Sequence, residues 1–97
     1  MYVVRDIFHA KPGKVKDLVT KFKALEPYMK EMGMKGMRVM TDAVATYWTV
    51  VCESEVESLD EYFDIGRRER GDARIGEILQ GYMDLVEGGR REVFRIE

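Results

Sequence analysis

Residues 47–52, with the sequence YWTVVC, decide the fold because they predict a strand whose two faces are both apolar. Side chains alternate along a strand, which places Trp48, Val50 and Cys52 on one face. Tyr47 and Val51 fall on the other face. A strand of this kind must be covered twice. The helices of so short a chain can cover one face of a small sheet, so we expect a second copy of the chain to cover the other.

The composition describes one small soluble domain. The chain has 97 residues, of which 45% are hydrophobic, and residues 1–97 fit a single compact unit. A formal net charge of −2 offers no general attraction to nucleic acid. The single cysteine fits a reducing compartment, and no apolar run is long enough to span a membrane. Because Arg5 and Asp6 stand where a signal peptide needs its apolar core, we predict a cytoplasmic protein without membrane or nucleic-acid partners.

The first half of the chain predicts strand, helix, strand, strand. Residues 2–9 alternate and end at a Lys-Pro-Gly turn. An amphipathic helix follows, which Pro27 should kink or restart. Residues 35–40 predict a second strand, and residues 44–54 predict a third.

The second half predicts two helical pieces and a last strand. Ser58 begins a helix through a capping box, with Leu59, Tyr62 and Phe63 facing inward. Asp72 caps a further helix, and a Gly-Gly pair then releases the chain into a strand over residues 92–96. This order predicts an α+β, ferredoxin-like split βαβ fold, in which the helices lie on one face of a four-stranded antiparallel sheet.

Several stretches together carry a resemblance to a known group of proteins. They are VVRDIF at 3–8, KPGK at 11–14, SLDEY at 58–62, VFRI at 93–96 and the strand that contains Trp48. With them, nearly the whole chain resembles the dimeric α+β barrel superfamily, which includes antibiotic-biosynthesis-monooxygenase-like (ABM-like) and NIPSNAP-like small proteins. The resemblance implies a homodimer through the sheet face, with a small-molecule pocket between the sheet and the helices of each subunit. Members so built include cofactor-independent oxygenases, haem-degrading enzymes, isomerases and proteins without known activity, and the fold alone does not choose among them.

One departure from that superfamily bears on cofactors. Its haem-degrading branch uses an Asn, a Trp and a His together, whereas this chain contains no Asn. In that branch the haem-ligating His lies on a helix, whereas His9 stands at the end of a predicted strand. Haem degradation is therefore a remote alternative, and we expect no cofactor. With one His and one Cys, the chain also cannot build a zinc site of the usual His/Cys type.

The candidate catalytic residue is His9. Histidine is the side chain that titrates nearest neutrality, so a proton-transfer role would fall to it first. The alternative is that a lone histidine beside a strand end is a surface or hydrogen-bonded structural residue. A nucleophilic pair of His9 and Cys52 would require the two side chains to meet in space, and otherwise Cys52 is a small buried hydrophobe.

Trp48, Tyr62, Phe63 and Cys52 are the candidate ligand-binding residues. The aromatic rings could stack on a flat ligand and offer hydroxyl and indole hydrogen bonds, although for any one of them taken singly a place in the core is the better explanation. Five methionines between residues 29 and 40 could bind a soft ion, line a deformable pocket or simply pack the core. An arginine-rich run over residues 67–74 could bind an anion or form a solvated helix face with internal ion pairs.

Two classes of function follow from the sequence. One is a cofactor-independent monooxygenase- or isomerase-type enzyme acting on a small hydrophobic metabolite. The alternative is a non-catalytic small-molecule-binding or structural protein.

Overall fold

A computed structural model describes all 97 residues. They form one four-stranded antiparallel sheet with the strand order β2-β3-β1-β4. The strands are β1 (Tyr2–Ala10), β2 (Lys35–Thr41), β3 (Thr49–Val56) and β4 (Val86–Arg95). The helices are α1 (Val15–Met32), α2 (Leu59–Arg70), α3 (Ala73–Leu79) and a short 3-10 helix (Tyr82–Leu85). The predicted α+β class and ferredoxin-like arrangement are confirmed.

The two faces of the sheet differ in what covers them. Val4 and Phe8 of β1 pack against the helices, and the alternation of the strand puts Asp6 on the same side. We call this side the helix face. The intervening residues of β1 lie on the other side, which carries no helix and which we call the open face. They are Val3, Arg5, Ile7 and His9.

The core lies between the helix face and the helices. Eleven buried residues form one apolar cluster, in which Leu18 of α1, Val50 of β3 and Ile65 of α2 are fully buried. Each helix thus contributes an apolar stripe to the sheet, as expected for a layered α+β domain. None of the helices has both the length and the apolar character needed to cross a membrane.

The predicted helix starts are confirmed by their caps. The Ser58 hydroxyl accepts a hydrogen bond from the Glu61 backbone N–H at 3.1 Å, and α2 follows. The Asp72 carboxylate accepts from the Arg74 backbone N–H at 2.8 Å, and α3 follows. Both side chains satisfy helix N–H groups that would otherwise lack a partner.

Of the two predicted effects of Pro27, the restart of α1 is wrong, because one helix runs through Pro27 to Met32. Pro27 lies on the exposed side of α1, where water can hydrate the carbonyl that its missing N–H leaves unpaired. Leu25 and Met29, on either side of it, are both buried in the core and hold the two halves of the helix together.

The predicted start of β3 at residue 44 is also wrong, since the strand begins at Thr49. Residues 42–48 form a loop that Asp42 closes by accepting a hydrogen bond from the Thr49 N–H at 2.9 Å and donating its own N–H to the Thr49 carbonyl at 3.2 Å. Trp48 has a positive φ of 64°, and Tyr47 is 82% exposed. The two-faced strand therefore retains Val50 and Val51 but loses both aromatic residues.

Two further predictions about side chains and boundaries are wrong. Leu59 and Phe63 of α2 are exposed, and Ile65 is the residue that α2 buries. The last strand begins at Val86, so the Gly-Gly pair lies inside β4 and not before it. A Cβ at Gly89 would lie 2.5 Å from the Ile7 carbonyl oxygen, so glycine permits the close approach of β4 to β1.

Candidate functional site

A cavity of about 150 Å³ lies between the helix face and the helices. An apolar cavity of roughly this volume can hold a benzene ring. Most of its wall is apolar and is supplied by β1, by α1 and the chain that leads from it into β2, by the end of α3 and by the 3-10 helix. These residues are Val4, Phe8, Phe22, Leu25, Met29, Met34, Met37, Leu79 and Tyr82.

Aromatic packing shapes one side of this wall. The rings of Phe8 and Phe22 lie 4.7 Å apart between centroids, and Tyr82 stands 6.4 Å from each of them. Three methionines, Met29, Met34 and Met37, also line the cavity. Because methionine side chains are flexible, this wall can adjust to the shape of a ligand.

The polar part of the cavity begins with a row of residues across the sheet. Asp6 of β1 lies opposite Cys52 of β3 on one side and opposite Arg91 of β4 on the other. The Arg91 guanidinium donates from Nε to Asp6 Oδ1 and from Nη2 to Asp6 Oδ2, the latter at 3.4 Å. This two-pronged ion pair fixes the position of the guanidinium over the sheet.

Helix α2 completes the polar wall with residues on one of its faces. Tyr62, Gly66 and Glu69 follow at spacings of four and three residues, which places them one above the other along the helix. The Arg91 Nη1 atom donates a hydrogen bond to the Tyr62 hydroxyl oxygen at 2.7 Å. Gly66 leaves space between the two polar side chains, since a Cβ there would meet only the end of the Arg70 side chain, at 3.5 Å.

Burial raises the pKa of two cavity groups. For the Glu69 carboxyl, the charges of Arg91 and Arg70 only partly oppose this effect, while the charge of Asp6 adds to it. Burial also raises the pKa of the Cys52 thiol to about 12, with a smaller contribution from the Asp6 charge. Cys52 is therefore a neutral thiol at physiological pH and not an activated nucleophile.

The residues predicted from sequence as a site are only partly brought together. Tyr62 and Cys52 line the cavity. His9 lies on the open face, so it does not meet Cys52, which lies on the helix face. Trp48 lies in the loop before β3, and Phe63 points outward with its ring 5.2 Å from that of Tyr62.

Three charged cavity residues were missed by sequence reasoning. Asp6 carried a usable signal, because it occupies an inward position of an alternating strand between Val4 and Phe8. Glu69 carried a weaker signal, namely that its helical spacing from Tyr62 places both residues on one side of α2. Arg91 carried none, since its placement depends on the register of β4 against β1.

The remaining candidate groups have structural explanations. Arg67 and Arg68 form ion pairs with Asp64 on the exposed side of α2. Arg74 pairs with Asp72 and stands over a tyrosine ring at 4.7 Å. No three His, Cys, Asp or Glu side chains come together in an arrangement that could hold a metal ion.

The fold and cavity define a small α+β protein with one site on the helix face of its sheet. No protein family model and no curated protein matches the chain. Solved structures with the same fold include an uncharacterized NIPSNAP domain protein from Burkholderia xenovorans, with a TM-score of 0.84, 13% identity and coverage of 100% of this chain and 95% of that one. They also include a NIPSNAP-family protein of unknown function from Agrobacterium tumefaciens, with a TM-score of 0.83, 16% identity and coverage of 99% and 87%.

A second NIPSNAP-family protein from Agrobacterium tumefaciens has a TM-score of 0.82 at 13% identity, with coverage of 99% of this chain and 85% of that one. The likeness to NIPSNAP-like proteins predicted from the sequence is thus confirmed in the fold. At these identities the comparison concerns the fold, so any statement about activity must come from the cavity itself.

Proposed function

We propose that this protein is a homodimer that binds a small, largely apolar molecule carrying one hydrogen-bonding group, in the cavity of each subunit. The observation that carries the proposal is the position of the Tyr62 hydroxyl, which Arg91 holds at the wall of a cavity lined mostly by apolar residues. Binding sites of small molecules combine an apolar lining with few well-placed polar groups. The cavity volume limits the ligand to about one aromatic ring with a small substituent.

The homodimer is proposed to form through the open face. Apolar residues of this face alternate with charges, and Glu53 at its centre binds both Arg5, at 2.9 Å, and Arg38. In a two-fold interface the same surface meets itself, so it must carry both members of each complementary pair. The open face satisfies this requirement, because arginines and glutamates are interspersed along it. The apolar residues among them are Val3, Ile7, Val51 and Phe94.

A second candidate is an isomerase-type enzyme that acts on the same ligand. One observation favours it, namely that burial raises the pKa of the Glu69 carboxyl at the cavity wall. Raised carboxyl pKa values are typical of groups that exchange protons with a substrate near neutral pH. Of the two enzyme types predicted from the sequence, an isomerase is the one that needs only such a group.

The assembly is tested by native mass spectrometry of the gently purified protein. We expect the mass of a dimer, and a variant with Phe94→Glu on the open face, where Phe94 is 49% exposed in the single subunit, should yield the monomer. A matched change on the exposed side of α3, Gly76→Glu, should leave the dimer intact, since Gly76 faces open space. A monomer for the unchanged protein would contradict the proposed assembly.

The cavity is tested by titration with acetophenone, a benzene ring that bears a carbonyl group. We expect backbone NMR shifts that saturate and that centre on residues 62–69. Gly66→Leu should abolish binding by filling the cavity, whereas Gly76→Leu should bind as the unchanged protein does. Weak shifts spread over the surface, or equal binding by Gly66→Leu, would contradict the site.

A further inference from the structure

We propose that the cavity is a proton-transfer site for small carbonyl compounds that can form an enolate, with Glu69 moving the proton and Tyr62 binding the carbonyl oxygen. The inference rests on the proposed function, because it requires a ligand in this cavity. It goes further by naming the class of substrate and the part that each residue takes.

Glu69 is the free carboxyl group of the cavity. Asp6 and Arg91 are bound to each other, whereas Glu69 takes part in no ion pair and no side-chain hydrogen bond. A general base must be able to accept and release a proton, and a strong partner would hold it in one state. Burial, which raises the pKa of Glu69, brings its proton exchange closer to neutral pH.

Tyr62 is placed to stabilise negative charge on a carbonyl oxygen. Its hydroxyl oxygen accepts the hydrogen bond from Arg91 Nη1 at 2.7 Å, so its own O–H hydrogen remains available to a ligand. The guanidinium behind it adds positive potential where the enolate oxygen would form. Asp6, which grips Arg91 through both carboxylate oxygens, is the positioning residue for this arrangement.

The two groups stand on the same wall of α2 with Gly66 between them. Tyr62 and Glu69 are seven residues apart, which is two helical turns or about 10 Å along the axis. The gap is open because residue 66 has no side chain. In an enolisable carbonyl compound the C–H carbon and the oxygen are both bonded to the carbonyl carbon, so the proposal requires the Tyr62 and Glu69 side chains to converge on neighbouring atoms in the open space over Gly66.

The proposed step balances without any further reagent. The Glu69 carboxylate takes a proton from the carbon next to the carbonyl, and the electrons of that C–H bond form a C=C bond. The carbonyl π electrons move onto oxygen, which accepts a hydrogen bond from Tyr62. The protonated Glu69 then returns the proton to the same carbon, or to the far end of a conjugated system, which shifts the double bond. Nothing is oxidised or reduced.

The experiment follows the methyl hydrogens of acetophenone in D₂O by proton NMR, because enolate formation replaces them with deuterium. We expect the protein to accelerate this exchange and Glu69→Gln to lower the acceleration by about 100-fold, the contribution typical of one general base. Binding of acetophenone should change less than threefold. Glu77→Gln, on the exposed side of α3, is the matched control and should exchange as the unchanged protein does.

Tyr62→Phe tests the role of Tyr62 separately from that of Glu69. It should slow the exchange by about tenfold while the compound still binds, because the lost hydrogen bond matters most when the oxygen becomes negative. The pH dependence of the exchange rate tests Glu69 in a second way. The rate of the unchanged protein should rise as Glu69 ionises, and this rise should be absent in Glu69→Gln.

The outcomes separate the two proposals. Saturable binding without faster exchange, or exchange that Glu69→Gln leaves unchanged, overturns proton transfer and leaves the binding function standing. No binding of acetophenone overturns the binding function itself. Should Glu69→Gln fail to fold, Glu69→Asp keeps the carboxyl but withdraws it by one methylene, and an exchange rate equal to that of the unchanged protein would overturn the role of Glu69.

Discussion

Two glutamates on opposite sides of the sheet behave in opposite ways. Glu53, on the open face, has only 12% of its side chain exposed, yet hydrogen bonds from Arg38 and Arg5 lower its pKa. Glu69, at the cavity, has its pKa raised by burial. The difference lies in direct pairing, since two arginines bind Glu53 whereas Glu69 forms no ion pair and the nearby Arg91 is bound to Asp6.

This contrast separates the tasks of the two faces. On the open face two arginines hold Glu53 in its charged form, which suits the proposed dimer surface. On the helix face one carboxyl is left without a partner, so its charge can respond to a ligand or to pH. The same residue type is thus a paired ion in one place and an unpaired carboxyl with a raised pKa in the other.

The largest expected effect distinguishes two neighbouring glycines of β4. In Gly89→Ala the new Cβ would lie 2.5 Å from the Ile7 carbonyl oxygen, so the strands must move apart. We expect a loss of about 3 kcal/mol, the upper range for overpacking. Gly88→Ala meets nothing within 4 Å and should change stability by less than about 0.5 kcal/mol.

Urea unfolding of both variants measures the free energies. Equal losses at the two positions would break the comparison, because the tight approach of β4 to β1 at Gly89 would then not exist.

A smaller effect is expected at two adjacent valines of β3 that face opposite ways. Val50 is fully buried in the core, so Val50→Ala should cost about 2 kcal/mol from lost transfer energy and the cavity left behind. Val51 is half-buried on the open face, so Val51→Ala should lower the free energy of unfolding of the isolated subunit by less than about 1 kcal/mol.

Thermal unfolding over a hundredfold range of protein concentration sharpens this prediction. If the open face forms the dimer, the deficit of Val51→Ala should depend on concentration, whereas that of Val50→Ala should stay nearly constant. A deficit of Val51→Ala that does not vary with concentration would argue against contact through this face.

The smallest effects concern the two glutamates and differ in sign. The raised pKa of Glu69 means that its ionisation opposes folding once the pH exceeds the ordinary glutamate value of 4.5. Glu69→Gln should therefore be more stable than the unchanged protein at pH 7, and this gain should vanish below that value.

Glu53→Gln should show the reverse. The lowered pKa of Glu53 contributes stability above pH 4.5 that is lost as the pH falls through the lowered pKa, so the variant should be less stable at pH 7 and approach the unchanged protein in acid. Melting temperatures at pH 7 and pH 4 test both. Shifts of the same sign in the two variants would contradict the contrast between the faces.

The architecture could be predicted from local signals. Alternation in β1 and the caps at Ser58 and Asp72 fixed most elements, because these signals act within a few residues. The start of β3 could not be predicted from local signals, because the hydrogen bonds between Asp42 and Thr49 that close the preceding loop form only in the folded chain. The prediction that Phe63 faces inward was wrong because it relied on the hydrophobicity of the side chain, whereas the packing of α2 on the sheet turns Ile65 inward and Phe63 outward.

The cavity was less predictable than the fold. Tyr62 and Cys52 were identified by their chemistry and line it. The pairing of Asp6 with Arg91 joins residues from opposite ends of the chain, and only the register of β1 against β4 brings them together. The raised pKa of Glu69 results from burial in the folded chain, which no local sequence signal shows.

The central place of β1 has a consequence for how the protein is made. This strand is synthesised before the other three, but one of its two neighbours is β4, and the ladder runs from Tyr2 opposite Arg95 to Ala10 opposite Val86. Such pairing closes loops of nearly the whole chain, which is the slow kind of contact in folding. While the ribosome is still adding residues 86–95, one edge of β1 has no partner, so the sheet must be completed after those residues emerge and not during synthesis.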